Sequence, residues 1–144
     1  MPTHLAPVRR EVRVQATPEV AFDWFTLHVG LWWPRVYSAI GGSLGFVSGQ
    51  LEEQTDEDTY VWGEVITWDR PRGFRMAWRE PKDKPDQRTN VDLRFLGEGK
   101  TTIVRLVQSG WDRVPDPAGA AKRAGGDRGW REVLAAYEAA VPRS

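Results

Sequence analysis

The stretch AKRAGGDRGWREVLAAYEAAV, residues 121–141, decides the fold. In its second half Trp130, Val133, Leu134, Tyr137 and Val141 recur at i, i+3, i+4, i+7 and i+11. A helix gathers these on one face and turns Arg131, Glu132 and Glu138 away from it. Such a stripe requires a partner, and the chain upstream is written mainly as strands. The pattern predicts a curved antiparallel sheet closed around this helix, with room for a small molecule between them. Gly125 and Gly126 each cost about 1 kcal/mol relative to alanine inside a helix, so a bend is expected there. Asp116-Pro117 supplies a cap-plus-proline start for the same helix.

Working back toward the N-terminus, residues 101–108 and 91–96 alternate with period two: Thr102, Val104 and Leu106 share one face, and Val91, Leu93 and Phe95 another. Residues 81–88, PKDKPDQR, read as a polar connection. Before it, residues 60–68 and 74–80 form a hairpin around the turn residues 69–73, with Phe74, Met76 and Trp78 on one face. Gly63 within the first strand marks a bulge or a close packing contact. Residues 44–47 and 50–54 are short strands separated by Ser48-Gly49, and Asp56, Glu57 and Asp58 form a solvated turn without the spacing of a calcium loop.

Val8, Val12 and Val14 alternate with Arg9, Glu11 and Arg13 as a half-buried first strand. Thr17-Pro18-Glu19 then opens a helix to about residue 27. That helix carries two apolar stripes, Phe22/Phe25/Val29 and Val20/Trp24/Leu27, so it is expected to be wedged between the sheet and a second layer. The pair Trp32-Trp33 precedes Pro34, which discourages a helical Trp33. The pair either plugs the end of the core or walls an opening. One or two short helices therefore follow the first strand, and six to seven strands precede the long terminal helix: an α+β plan.

The bulk properties exclude several function classes. The 144 residues fit one domain, spanning 1–144 with 1–7 and 142–144 as expected flexible tails. Lys plus Arg and Asp plus Glu number 20 each, so no standing field favours nucleic acid. The absence of cysteine removes disulfides, thiol nucleophiles and cysteine-ligated zinc. No apolar run approaches the ~18 residues of a membrane span, and no apolar leader segment is present. The expectation is a soluble cytoplasmic protein. Eight tryptophans, five phenylalanines and three tyrosines are nonetheless concentrated in a chain of polar average, with mean hydropathy −0.53. Rings in that number form either an aromatic core or a partly hollow one.

Four segments carry a family resemblance: ATPEVAFDWFTLHVGLWWP (16–34), WGEVITWDRPRGF (62–74), TTIVRLVQSGW (101–111) and DRGWREVLAAY (127–137). In order and spacing the chain resembles the START-like, or SRPBCC, superfamily with its helix-grip fold. Within it the chain is similar to the bacterial relatives of the activator of the heat-shock protein 90 ATPase. The resemblance implies a sheet gripping a long C-terminal helix, and it leaves open ligand carriage, cyclase chemistry and chaperone regulation. Related sequences often carry histidines near Tyr37 and Gln108; this chain has only His4 and His28, so chemistry resting on those histidines is not implied.

The sequence shows no recognisable catalytic constellation, no metal-ligand set and no cofactor fingerprint. His4 and His28 have no evident orienting partner. The polar groups that could serve a reaction are Glu64, Tyr60, Arg79 and Asp92. Glu64 follows Trp62 by two residues, so simple alternation places both in a cavity, where burial would raise the carboxyl pKa. Alternatively it lies on the convex face opposite Arg75, Arg79 or Arg94. For a ligand, the expected lining is Trp62, Phe74, Met76, Trp78, Phe95, Trp130, Leu134 and Tyr137, with the opening near Trp32 and Trp33. The expected partner is a small hydrophobic molecule, bound without a cofactor. A cyclase- or hydrolase-like enzyme using the same cavity, a chaperone-ATPase regulator and a homodimer are the alternatives.

Overall fold

The computed structural model describes residues 5–81, 84, 87–114 and 118–144. His4 and the Asp116-Pro117 helix start lie outside the described residues, as does most of the polar connection around 81–88. Seven strands, β1 (Val8–Val14), β2 (Ser43–Val47), β3 (Gln50–Gln54), β4 (Thr59–Asp69), β5 (Gly73–Trp78), β6 (Thr89–Glu98) and β7 (Thr101–Ser109), make one antiparallel sheet. Their spatial order is β1-β7-β6-β5-β4-β3-β2. The chain leaves the edge strand β1, crosses through α1 (Pro18–Thr26) and α2 (Val29–Trp32) to the opposite edge, and meanders back until β7 lies beside β1. The helix α3 (Ala118–Ala140) then packs over the inner face. This is the helix-grip architecture.

Period two sets the inner face of the central strands. Phe74, Met76 and Trp78 pair with Leu93, Val91 and Thr89, while Leu93 and Phe95 pair with Leu106 and Val104; all nine are buried. Tight turns close the hairpins. Ser48 and Gly49 both adopt positive φ, 49° and 80°, matching the twist of the flanking strands.

Alternation fails in β4, with a direct consequence for the candidate site. The register passes from Leu51↔Gly63 to Glu52↔Val61, leaving Trp62 with no counterpart in β3, and a second slip leaves Ile66 without one in β5. These are bulges. The first lets Trp62 and Gly63 both be buried while Glu64 is exposed. Gly63 is also a close contact, since a Cβ there would meet the Met76 sulfur at 2.9 Å.

Three expectations are corrected. The second stripe of α1 is not wedged into the core: Phe22 and Phe25 are buried, but Leu27 is 73% exposed and Trp24 lies half-buried over the His28 ring. The helix α3 continues through Gly125 and Gly126 without a break. Gly126 is required by proximity, because a Cβ there would meet Gln108 Oε1 at 3.1 Å and the Trp111 ring at 3.3 Å. Finally, the expected tails are tied to the body. Arg123 donates to the carbonyls of Ala6 and Pro7, and Ser144 exchanges hydrogen bonds with Gln15 and Thr17. No helix among the described residues is long and apolar enough to cross a membrane.

Candidate functional site

Between the β4–β5 hairpin, the Trp33–Ser38 segment and the first half of α3 lies a cavity of about 360 Å³. Its principal walls are four indoles. Trp62 and Trp78, from adjacent strands, stack with centroids 5.3 Å apart and planes 28° apart. Trp130 approaches Trp78 at 5.0 Å, and Trp33 stands 6.2–6.3 Å from the other three. The tandem tryptophans thus divide the two roles foreseen for them. Trp33 is a cavity wall, whereas Trp32 is buried against Phe25 and Tyr137 and donates its indole N–H to the Trp24 carbonyl at 2.8 Å.

The fourth side is helix backbone. Gly125, Gly126 and Gly129 line the cavity, and a Cβ at Gly125 would meet nothing within 4 Å. Tyr37 packs its ring over Gly129, about 3.7 Å from where a Cβ would stand, and donates its hydroxyl to Glu132 at 2.5 Å. That hydrogen bond to a carboxylate raises the Tyr37 pKa, with burial adding to it. Glu80, Pro81 and Lys122 complete the wall. Burial raises the Glu80 carboxyl pKa, opposed by the Lys122 charge and by the nearby Trp78 indole.

Two buried polar residues hold the indoles in place. Gln108, 1% exposed, accepts the Trp130 N–H on Oε1 at 2.7 Å, donates through Nε2 to Thr89 at 2.8 Å, and accepts the Trp111 N–H on its carbonyl at 3.1 Å. Glu53 is fully buried and accepts five hydrogen bonds. Its Oε1 takes the Ala39 amide and the Trp62 indole; its Oε2 takes the Ser38 hydroxyl and the amides of Ile40 and Gly42, all at 2.7–3.0 Å. Burial alone would raise its pKa, but the Ala39, Gly42, Ser38 and Ile40 hydrogen bonds outweigh it and bring the carboxyl down to about 2. Glu53 thereby ties the 38–42 loop to Trp62, so one carboxylate orients two sides of the cavity.

Of the residues expected to bind a ligand, the structure brings Trp33, Trp62, Trp78 and Trp130 together around the cavity. Phe74, Met76, Phe95, Leu134 and Tyr137 sit instead in the packed core alongside Trp32. Tyr137 is fully buried and donates to the Ala21 carbonyl at 2.7 Å, joining α3 to α1; burial raises its pKa. The polar candidates lie elsewhere. Glu64 pairs with Arg88 at 3.2 Å on the outer face, where Arg79 borders the same shallow depression, and Asp92 pairs with Arg75 at 3.7 Å. Tyr60 is half-buried, its hydroxyl donating to the Arg79 carbonyl at 2.7 Å, and burial pushes its pKa up to about 12. Glu53, Glu80 and the glycine face of α3 were not anticipated. Glu53 was legible in one respect, since it follows the apolar Leu51 by two residues and so shares its inward face.

Similar folds are found among solved structures. CalC from Micromonospora echinospora, a self-sacrificing resistance protein, is 25% identical with a TM-score of 0.72, and 94% of each chain is covered. The anthrahydroquino-γ-pyrone synthase Txn09 is 24% identical, covering 96% of this chain and 99% of that one at a TM-score of 0.59. Aha1 from Colwellia psychrerythraea, solved as a dimer, is 16% identical, covering 95% and 96% at 0.67. No curated relative matches this sequence. The family model described as activator of Hsp90 ATPase homolog 1-like protein matches residues 15–141, nearly the whole chain and all of its sheet beyond β1, so the chain belongs to that family.

Proposed function

We propose that this chain binds a small lipophilic or aromatic molecule in the cavity between the β4–β5 hairpin and α3. The observation that carries the reading is the enclosure of about 360 Å³ by four indole rings and a helix face stripped of side chains. Ligand sites of this size are mostly apolar with a few placed polar groups, as here. A core that needed only to be filled would carry a larger residue at 125, where a side chain has room and alanine would also favour the helix by about 1 kcal/mol.

The test is titration with 1-anilinonaphthalene-8-sulfonate, followed by dye fluorescence and by native mass spectrometry. The native chain and Gly125→Ala should take up one dye molecule per chain. Gly125→Phe places a ring in the open space and should weaken uptake by roughly tenfold or more, about 1.4 kcal/mol, with its circular dichroism unchanged. Dye uptake by a folded Gly125→Phe variant equal to that of the native chain would refute the assignment.

A second reading, an enzyme using the same cavity, draws on Glu80, whose raised pKa suits a proton donor or acceptor near neutrality. The resemblance to a synthase supports it at the level of the fold. Conversion would register in the mass spectra as a time-dependent change in the mass of a bound molecule. Regulation of an Hsp90-type chaperone rests on the family description alone, and absence of ATPase stimulation would count against it.

A further inference from the structure

Three of the four cavity indoles find acceptors inside the protein: Trp62 on Glu53, Trp130 on Gln108, and Trp33 on the Tyr37 carbonyl at 3.2 Å. Trp78 is the exception. Its ring is 3% exposed, and its N–H donates to no acceptor in hydrogen-bond geometry, although it lies near enough to Glu80 to favour that carboxylate's charged form. Buried polar groups are rarely left unmatched, and those that are require an explanation. A packing accident is a poor one here. The neighbouring indoles in the same cluster are all satisfied, and Trp78 lies in the cavity wall with Trp62 stacked on it.

The shape of the space restricts what could meet that donor. The stacked Trp62–Trp78 pair and the glycine face of α3 both border the cavity and present few projecting groups. A flat molecule matches such walls better than a branched aliphatic one. Building on the proposed binding function, we infer that the ligand is a planar aromatic molecule with a hydrogen-bond acceptor, such as a carbonyl, in its ring system. Trp78 is the residue that recognises the acceptor, through its indole N–H. The three satisfied indoles supply stacking area without reading polarity, whereas Trp78 distinguishes a ketone from the hydrocarbon of the same outline. A site built to hydrogen-bond one group discriminates against ligands that lack it, because the buried donor is then left unpaired.

The isosteric pair 9-fluorenone and fluorene tests this, with protonated 9-aminofluorene as a third arm, by quenching of tryptophan fluorescence and by 1H–15N spectra of the indole N–H groups. In the native chain 9-fluorenone should bind roughly tenfold more tightly than fluorene. Trp78→Phe should erase that difference while retaining fluorene. The Trp78 indole resonance should move downfield with 9-fluorenone and not with fluorene, a readout on native protein that holds even if Trp78→Phe fails to fold. Equal affinities with an unmoved indole resonance would overturn the role of Trp78 and leave the binding function standing, as would a ketone preference that survives in Trp78→Phe. Preferred binding of the ammonium form, abolished in Glu80→Gln, would assign the polar selectivity to Glu80 and overturn the inference. Failure of all three compounds to bind would overturn both the inference and the function on which it rests.

Discussion

Replacing Glu53 by glutamine is expected to destabilise the fold by about 3 kcal/mol at pH 7, although the two side chains are nearly the same size. Both carboxylate oxygens are used as acceptors, by three backbone amides, a hydroxyl and an indole. Glutamine keeps one acceptor oxygen and turns an NH₂ group toward donors. It must therefore abandon either Ala39 and Trp62 or Ser38, Ile40 and Gly42. The same interactions give a signature in acid. Glu53 titrates at about 2 in the folded chain, below its ordinary 4.5, so its stabilisation is fully present above about pH 4.5 and lost as pH falls toward 2. That shift corresponds to about 3 kcal/mol. Urea unfolding at pH 7 and at pH 3 checks both points: native stability should fall between them, and the glutamine variant should show a smaller fall. A variant as stable as the native chain at pH 7 would show that the carboxylate does not hold the 38–42 loop.

Trp130→Ala should cost about 3–5 kcal/mol, the range for deleting a buried large aromatic side chain. Trp130 is 5% exposed, touches Trp33 and Trp78, and anchors its N–H on Gln108. It is also where the stripe of α3 meets the cavity, so the loss should appear in two measurements. Urea unfolding should show the destabilisation, and 1-anilinonaphthalene-8-sulfonate should bind more weakly to a space widened on one side. A small loss of stability with unchanged dye binding would mean that the sheet does not depend on this ring for its grip on α3.

The strands legible in the sequence were those whose alternation is undisturbed. Phe74, Met76 and Trp78, or Val91, Leu93 and Phe95, report their inner face by spacing alone, and the i, i+3, i+4, i+7 stripe of α3 reports its buried side. The cavity was legible only in part, because a bulge is invisible to a period-two reading. Counting by twos couples Glu64 to Trp62, whereas the unpaired Trp62 uncouples them and sends Glu64 to Arg88 on the outer face. Glu80 escaped notice because it lies just beyond the end of β5, where alternation has no force. Leu27 misled in the opposite sense: an apolar residue at helical spacing need not be buried, and nothing in a sequence distinguishes a second packed layer from an exposed side chain.

The two halves of α3 differ in a way that bears on how a molecule could reach the interior. Residues 130–140 hold the helix to the sheet through Trp130, Val133, Leu134 and Tyr137. Residues 118–129 contain Gly119, Gly125, Gly126 and Gly129, each a weak helix former by about 1 kcal/mol relative to alanine, and it is this half that borders the cavity. Local opening free energy follows the density of such contacts, so the first turns should unwind transiently while the second half stays docked. Amide exchange measured along α3 should then be faster before Trp130 than after it. On that account the portal is the helix itself, and the rate of uptake is set by a brief loss of secondary structure rather than by the width of a permanent channel.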